Sequence, residues 1–155
     1  MTDSAMIRPA TDADFSAFAP IMRGAILTHG PKAYSDAECA SWIEGVRRDL
    51  FLRGRDEGQV FLSAGPVGAP QGFCSYLGAS LVGLYVSPEA MGHGLGSALL
   101  EAAEVEMRGA GSPQSLTAAL NSEGFYAERG WVTTLHKPHL TRGGLTITVA
   151  DMQKA

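Results

Sequence analysis

The spacing of apolar residues over the first thirty positions predicts a short strand followed by a helix. Met6-Ile7-Arg8 is typical of a short strand. Thr11 can cap the helix that follows, and Asp12 and Asp14 would lie in its first turn, where acidic side chains favour the helix dipole. Apolar residues then recur at intervals of three and four until His29-Gly30-Pro31, where glycine and proline should end the helix. The apolar positions are Phe15, Phe18, Ile21, Met22, Ala25 and Ile26.

The remaining pattern predicts further helices and strands in a regular order. Ser35-Asp36-Ala37-Glu38 forms a capping box, so a second helix should begin there. Short apolar runs bounded by turn residues predict strands, and helical spacing predicts two more helices. The predicted strands are 59–64, 72–77, 80–86, 116–120, 131–135 and 145–149, and the predicted helices are 95–108 and 123–129. Together these elements predict a mixed α/β sheet in a single domain that spans residues 1–155.

Composition and charge oppose several classes of partner. The chain has 12 Lys and Arg against 16 Asp and Glu, a net charge of −4, so it lacks the basic footprint of a nucleic-acid-binding protein. Cys39 and Cys74 form no C-x-x-C motif and are expected to be reduced, buried thiols. Residues 1–10 resemble no export signal, and no stretch approaches the roughly 20 apolar residues of a membrane helix. We therefore expect a cytoplasmic protein without a membrane partner.

A glycine-rich segment provides the main chemical pattern. Strand 80–86 leads through Ser87-Pro88 to Met91-Gly92-His93-Gly94-Leu95-Gly96-Ser97, where helix 95–108 begins. Glycine lets the backbone approach a ligand and adopt positive φ, so that several N–H groups can point inward together. The helix N-terminus adds unpaired N–H groups and partial positive charge. The segment therefore predicts a site for phosphate or pyrophosphate.

Two nucleotide-binding motifs fit this segment poorly. A P-loop requires a lysine followed by serine or threonine after the glycines, and none is present. The dinucleotide fingerprint expects glycine or alanine where Ser97 stands, and an acidic residue about 20 positions further on. The strand 116–120 leads instead to Asn121, and the first acidic residue after the start of this strand is Glu123. A domain that binds NAD or ATP is therefore the least favoured of three functional hypotheses.

Two motifs resemble the GNAT N-acetyltransferase superfamily. Val86-x-Pro88-x-x-x-Gly92-x-Gly94-x-Gly96-x-x-Leu99-Leu100 resembles its acetyl-CoA-binding motif, whose consensus is Gln/Arg-x-x-Gly-x-Gly/Ala. Gly94 and Gly96 match that consensus, whereas Met91 stands at the Gln/Arg position. The segment 118–131, with Asn121, Phe125-Tyr126 and Gly130-Trp131, resembles the family's strand-Asn…Phe-Tyr-x-x-x-Gly-Phe/Trp segment. The two motifs follow each other in the family's order.

The resemblance implies a fold and a cofactor. The fold is a mixed, mostly antiparallel, twisted sheet of six or seven strands flanked by helices, and the cofactor is acetyl-CoA as a co-substrate. The pyrophosphate is expected on the amides of residues 92–97, and the pantetheine arm between strands 80–86 and 116–120, which should splay apart. The expected cofactor-binding residues are Leu84, Tyr85, Val86, Met91, Gly92, His93, Gly94, Leu95, Gly96, Ser97, Asn121 and Tyr126.

The resemblance also implies catalytic roles for two residues. Tyr126 matches the family's general acid, and a phenol with a pKa of about 10 can protonate a thiolate of pKa about 8.5 late in the reaction. The backbone N–H of Val86 is the expected donor to the developing oxyanion. A base must take a proton from the acceptor amine, and Gly83-Leu84-Tyr85-Val86 offers no carboxylate. The candidates left open are His29, Tyr34, Glu38 and His136.

Two functional hypotheses rank above nucleotide binding. The first is an N-acetyltransferase that moves an acetyl group to a primary amine of a small molecule or peptide by direct attack in a ternary complex. The second is a non-catalytic acyl-CoA-binding module of the same fold. The net charge slightly favours a cationic acceptor, and homodimers are common in the resembled family. His136-Lys137-Pro138-His139 is expected to be a surface loop rather than a metal site, because proline interrupts it and no third ligand is nearby.

Overall fold

The computed structural model describes residues 6–155; residues 1–5, half of the segment in which no export signal is predicted, lie outside the described residues. The strands are β1 (Ile7–Pro9), β2 (Val60–Ala64), β3 (Gly72–Leu77), β4 (Ser80–Val86), β5 (Ser115–Ala119), β6 (Trp131–Leu140) and β7 (Thr146–Lys154). The α-helices are α1 (Phe15–His29), α2 (Asp36–Trp42), α3 (Arg48–Asp56), α4 (Leu95–Arg108) and α5 (Leu120–Ala127).

All seven strands belong to one sheet, in the order β1-β2-β3-β4-β5-β7-β6. Every neighbouring pair is antiparallel except β4 and β5, which are parallel. The expectation of a mixed, mostly antiparallel sheet flanked by helices is therefore confirmed.

Helices cover both faces of the sheet because side chains alternate along each strand. Leu62 and Cys74 face one core, in which helix α4 buries an apolar stripe. Phe61 and Phe73 face the other core, which α1 and α3 complete with stacked aromatic rings; the Phe18 and Phe73 centroids are 4.2 Å apart. Strand β4, at the centre of the order, is thus held from both sides. The α4 stripe consists of Leu95, Leu99, Leu100, Ala103 and Met107.

Several element boundaries differ from those predicted. Helix α3 was not predicted, because few of its residues are apolar. Helix α5 begins at Leu120, three residues before the predicted start at Glu123. Strand β6 continues to Leu140, so His136-Lys137-Pro138-His139 lies in a strand and the expected surface loop is wrong. Because β6 is an edge strand, its proline is tolerated there.

Helix α1 ends at His29 as predicted, but the role of the glycine differs. Gly30 has φ −56°, an ordinary helical value, so no left-handed residue ends the helix. A Cβ at this position would lie 2.8 Å from Cys39 Sγ, so glycine is required for close packing of α2. The chain continues as a short 3-10 helix from Gly30 to Lys32.

The two cysteines are buried and free, as predicted. Burial raises the pKa of both thiols, that of Cys74 to about 12. Among the described residues, no helix combines the length and apolar character that crossing a bilayer requires.

Candidate functional site

Two parallel strands separate in the middle of the sheet. Strands β4 and β5 pair only at Ser80 with Ser115 and at Leu81 with Leu116. Beyond these pairs a gap of about 70 Å³ opens between them, lined by both strands together with Trp42, Ser122 and Tyr126. The facing backbone edges are therefore available to pair with an extended ligand.

A cleft of about 390 Å³ extends from this gap to the glycine-rich loop; we call it the loop-side cleft. All of the predicted cofactor-binding residues except His93, which is exposed, line it. Cationic side chains line the cleft and no carboxylate does, so its charge suits an anion. The further lining residues are Ala25, Ile26, His29, Lys32, Trp42, Ala90, Ser122, Phe125 and Arg129.

The loop holds two glycines in a conformation that other residues rarely adopt. Gly92 has φ +85° and Gly94, the N-cap of α4, has φ +81°. A Cβ at either position would meet nothing within 4 Å, so the space beside the loop is open to a ligand. The first backbone hydrogen bond of α4 runs from Ala98 N to Gly94 O, at 3.0 Å. The amides of residues 95–97 therefore lack acceptors within the described chain and can bind an anion.

The third glycine of the motif has a different role. Gly96 has ordinary helical geometry, and a Cβ there would lie 3.3 Å from Phe125 Cζ. Because Gly96 has no Cβ, α5 can pack against the first turn of α4. Phe125 in turn stacks beneath the Arg129 guanidinium, whose carbon lies 3.9 Å from the ring centroid. Gly96 therefore allows α5 to pack closely, and it does not provide a positive φ in the loop as Gly92 and Gly94 do.

Arg129 places a positive charge at the start of α4. Its Nε donates to Ser97 Oγ at 2.8 Å, and its Nη1 donates to the carbonyl of Phe125 at 2.8 Å. These bonds leave Nη2 without a partner in the described residues. Met91, at the position of the family's Gln/Arg, contributes no such charge. Arg129 was not predicted; it lies in the turn that follows α5, and only its distance of three residues from Tyr126 could have indicated it.

Asn121 lies in the first turn of α5 and does not cap it. The N-cap of this helix is Ala119. The side-chain Oδ1 of Asn121 is buried and has no hydrogen-bond partner in the described residues, although it lines the loop-side cleft. A buried acceptor without a donor is costly, so this oxygen is suited to an N–H group of a ligand.

Tyr126 lies where the loop-side cleft meets the gap. Its ring is buried, and its hydroxyl has no hydrogen-bond partner among the described residues. Burial raises the pKa of Tyr126 far above its usual value, and the nearby Tyr85 and Cys74 add to the shift. The phenol therefore retains its proton at any physiological pH.

The amide of Val86 lies on the β5 side of β4, at the loop-side cleft. Ser87 N–H donates to Gln71 O at 2.8 Å, on the β3 side of the chain. Because successive amides of a strand point to opposite edges, the Val86 N–H points away from β3 and toward the opening beside β5.

A second cleft, of about 260 Å³, lies beyond the gap, between α1–α3 and the β6–β7 hairpin; we call it the hairpin-side cleft. Its walls are mainly aromatic and aliphatic. Trp42 and Tyr85 line this cleft, the gap and the loop-side cleft, so the three spaces adjoin one another. Its lining includes Met22, Leu50, Phe51, Gln59, Phe61, Phe73, Ser75, Val82, Thr117, His139, Arg142, Ile147 and Val149.

Three of the four candidate bases are occupied elsewhere. Tyr34 donates to Thr148 O at 2.6 Å and accepts from Leu120 N at 2.9 Å. Glu38 completes the capping box of α2. His136 pairs with Glu123 at 3.0 Å on the exposed side of β6.

Only His29 lies in a cleft, with its Nε2 buried and without a partner in the described chain. Burial and the charge of Lys32 lower the pKa of His29, which favours the neutral imidazole. It lines the loop-side cleft, whereas His139, which was not among the candidates, lines the hairpin-side cleft.

A family model described as an acetyltransferase (GNAT) domain matches residues 32–155. Solved structures agree with it. A GCN5-related N-acetyltransferase from Rhodopseudomonas palustris has a TM-score of 0.87 at 26% identity, covering 97% of this chain and 94% of its own. No curated protein sequence matches the chain.

Two further structures contain the cofactor or its product. The PaiA N-acetyltransferase from Thermoplasma acidophilum, in complex with coenzyme A, has a TM-score of 0.67 at 24% identity, with 96% of this chain and 97% of that one covered. YncA from Salmonella typhimurium, with acetyl-CoA, has a TM-score of 0.59 at 24% identity, with 96% and 91% covered.

Proposed function

Because the chain belongs to the GNAT acetyltransferase family, we propose that it is an acetyl-CoA-dependent N-acetyltransferase acting on a primary amine. The observation that supports this most directly is the gap between β4 and β5, which adjoins both clefts. In this proposal the loop-side cleft holds acetyl-CoA, the hairpin-side cleft holds the amine, and the reacting atoms meet in the gap. Holding both reactants in one geometry lowers the entropic part of the barrier.

The residues of the loop-side cleft fit the donor. The free amides of residues 95–97 and the Arg129 guanidinium offer donors and positive charge for the pyrophosphate. The open edges of β4 and β5 can pair with the amide groups of the pantetheine arm, and Asn121 Oδ1 can accept from one of them. Lys32 adds a cation at the same cleft.

The chemistry then requires two hydrogen-bond donors at the gap. The amine nitrogen forms a bond to the carbonyl carbon while the Val86 N–H donates to the carbonyl oxygen, which gains negative charge. As the C–S bond breaks, Tyr126 donates its proton to the departing sulfur, and the acceptor nitrogen gives up its surplus proton, which restores the Tyr126 phenol directly or through water. Burial raises the pKa of Tyr126 above that of a thiol, so this transfer is uphill even when the sulfur carries a full negative charge, and protonation of the sulfur comes last.

Thermal stability with different ligands tests the donor assignment. We expect acetyl-CoA and CoA to raise the melting temperature, because a ligand at 100 times its Kd stabilises the fold by about 2.7 kcal/mol. NAD and ATP at the same concentration should leave it unchanged. A rise with NAD or ATP alone would contradict the assignment.

The Tyr126→Phe variant distinguishes two hypotheses for this protein, an acetyltransferase and a non-catalytic acyl-CoA-binding module. Since the hydroxyl has no partner among the described residues, its loss should leave the fold and the acetyl-CoA Kd unchanged. With an acceptor found by an amine screen, we expect kcat to fall by about 100-fold or more. Equal turnover by variant and parent would remove Tyr126 from the mechanism, and a parent inactive with every amine would favour the binding module.

A further inference from the structure

Resting on the proposed function, we propose that the acceptor amine also carries a carboxylate and an apolar side chain, as an apolar amino acid does, and that Arg142 binds that carboxylate.

The charge of the hairpin-side cleft supports this ligand. Arg142 is the only lysine or arginine among its lining residues, and no aspartate or glutamate lines it. Arg142 makes no hydrogen bond or ion pair with any other described residue. A free guanidinium beside an apolar wall favours a carboxylate, which it can bind through two parallel hydrogen bonds. A polyamine or lysine-rich peptide would instead meet like charge.

The backbone at Arg142 is held in place by its turn, while its side chain is exposed. Arg142 lies in the β6–β7 turn, where Gly143 N donates to Ser41 O at 3.0 Å and Leu145 N donates to Ser41 Oγ at 3.1 Å. A Cβ at Gly143 would lie 2.5 Å from Ser41 Oγ, so only glycine allows this approach to α2. The stem of Arg142 lies against Gly45, its Cδ 3.4 Å from where a Cβ would be. The turn is therefore fixed to α2 before any ligand arrives.

The position of Arg142 also relates it to the reaction centre. Burial raises the pKa of Tyr85 to about 12, and the positive charge of Arg142 opposes that rise. The guanidinium therefore acts electrostatically on Tyr85, which lines both the hairpin-side cleft and the gap. A ligand with its carboxylate on Arg142 can direct its amine into the gap.

The walls define the third part of the ligand. Trp42, Leu50, Phe51, Ile147 and Val149 present aromatic and aliphatic surface. The cleft volume of about 260 Å³ suits a small molecule. An apolar side chain would bury against these walls and gain hydrophobic stabilisation.

Three acceptors with the same side chain test the proposal: L-phenylalanine, L-phenylalanine amide and phenethylamine, each at saturating acetyl-CoA. We expect kcat/KM for L-phenylalanine to exceed that of the other two by about tenfold or more. Arg142→Met, which keeps the stem, should abolish this preference and leave kcat/KM for phenethylamine within about twofold of the parent. Arg55→Met, at an exposed ion pair with Asp12, is the matched control and should change neither value.

Calorimetry of L-phenylalanine with the CoA-loaded protein separates this proposal from the proposed function. The carboxylate proposal would be overturned, and the acetyltransferase function left intact, by either of two results. One is turnover without a preference for L-phenylalanine, and the other is an equal loss of kcat/KM for all three amines in Arg142→Met. Arg142-dependent binding of L-phenylalanine without turnover of any amine would support the ligand and overturn the function. If L-phenylalanine does not bind and none of the three amines is acetylated, both the carboxylate proposal and the proposed function are overturned.

Discussion

Single residues of the glycine motif have separate physical roles. Gly92 and Gly94 adopt positive φ beside open space, whereas Gly96 has ordinary helical geometry and allows Phe125 to approach. The spacing alone predicted an anion site but treated the three glycines alike, because a sequence shows neither φ nor the neighbour across a helix interface. The Arg142 turn was beyond prediction for the same reason, since its contact between Leu145 and Ser41 joins residues 104 positions apart.

Gly94→Ala should weaken acetyl-CoA binding as well as the fold. Alanine at positive φ costs about 1 kcal/mol or more, and the loop can relieve that strain only by moving its amides. Gly78→Ala is the matched control, because Gly78 also has positive φ and open surroundings but lies in the β3–β4 turn. Urea denaturation should show similar destabilisation of both variants, and calorimetry with acetyl-CoA should show a higher Kd for Gly94→Ala alone. An unchanged Kd would remove the loop conformation from cofactor binding.

At the scale of elements, prediction succeeded where the apolar pattern was regular. The bounds of β3, β4 and α4 agree with those predicted, since each has alternation or a helical stripe that neighbouring turns interrupt. The pattern failed for β6, whose exposed edge carries polar residues and Pro138. It also failed at the start of α5, where Tyr34 accepts a hydrogen bond from Leu120 N in place of a local cap.

Tyr34→Phe should therefore destabilise the protein through α5. The Tyr34 hydroxyl joins Leu120 N to Thr148 O, so its loss leaves two backbone groups without that partner. We expect the free energy of unfolding to fall by about 1–3 kcal/mol in urea denaturation. Tyr126→Phe provides the comparison, because its hydroxyl has no such partner in the described chain and its removal should leave stability unchanged. Equal stability of the two variants would contradict this account of α5.

For the whole molecule, stability at acid pH should depend on Asp14. Burial alone would raise the pKa of Asp14, but Arg8 and the amides of Thr11 and Gly68 hold it well below its usual range. The carboxylate lies 2.7 Å from Arg8 and 2.8 Å from Gly68 N, so it joins β1, the start of α1 and the β2–β3 loop. Because the folded pKa is depressed, this stabilisation is complete above the unfolded pKa of about 4 and is lost as pH falls below it.

Asp14→Asn should lower the free energy of unfolding at pH 7 by about 3 kcal/mol, because Arg8 loses its buried partner. The difference from the parent should shrink below about pH 4, because Asp14 of the unfolded parent becomes protonated there while the folded carboxylate stays ionised. Urea denaturation between pH 3 and pH 7 measures both effects. Asp12→Asn, at an exposed ion pair with Arg55, should follow the parent curve. A constant difference across this pH range would exclude Asp14 titration as the cause.

The placement of the two tryptophans gives the molecule a built-in optical reporter. Trp131 is 2% exposed, and its indole N–H donates to Glu104 at 2.8 Å inside the core. Trp42 lines both clefts and the gap between them. A change in intrinsic fluorescence when either substrate is added therefore arises from Trp42, so emission can follow donor and acceptor occupancy in the unlabelled protein.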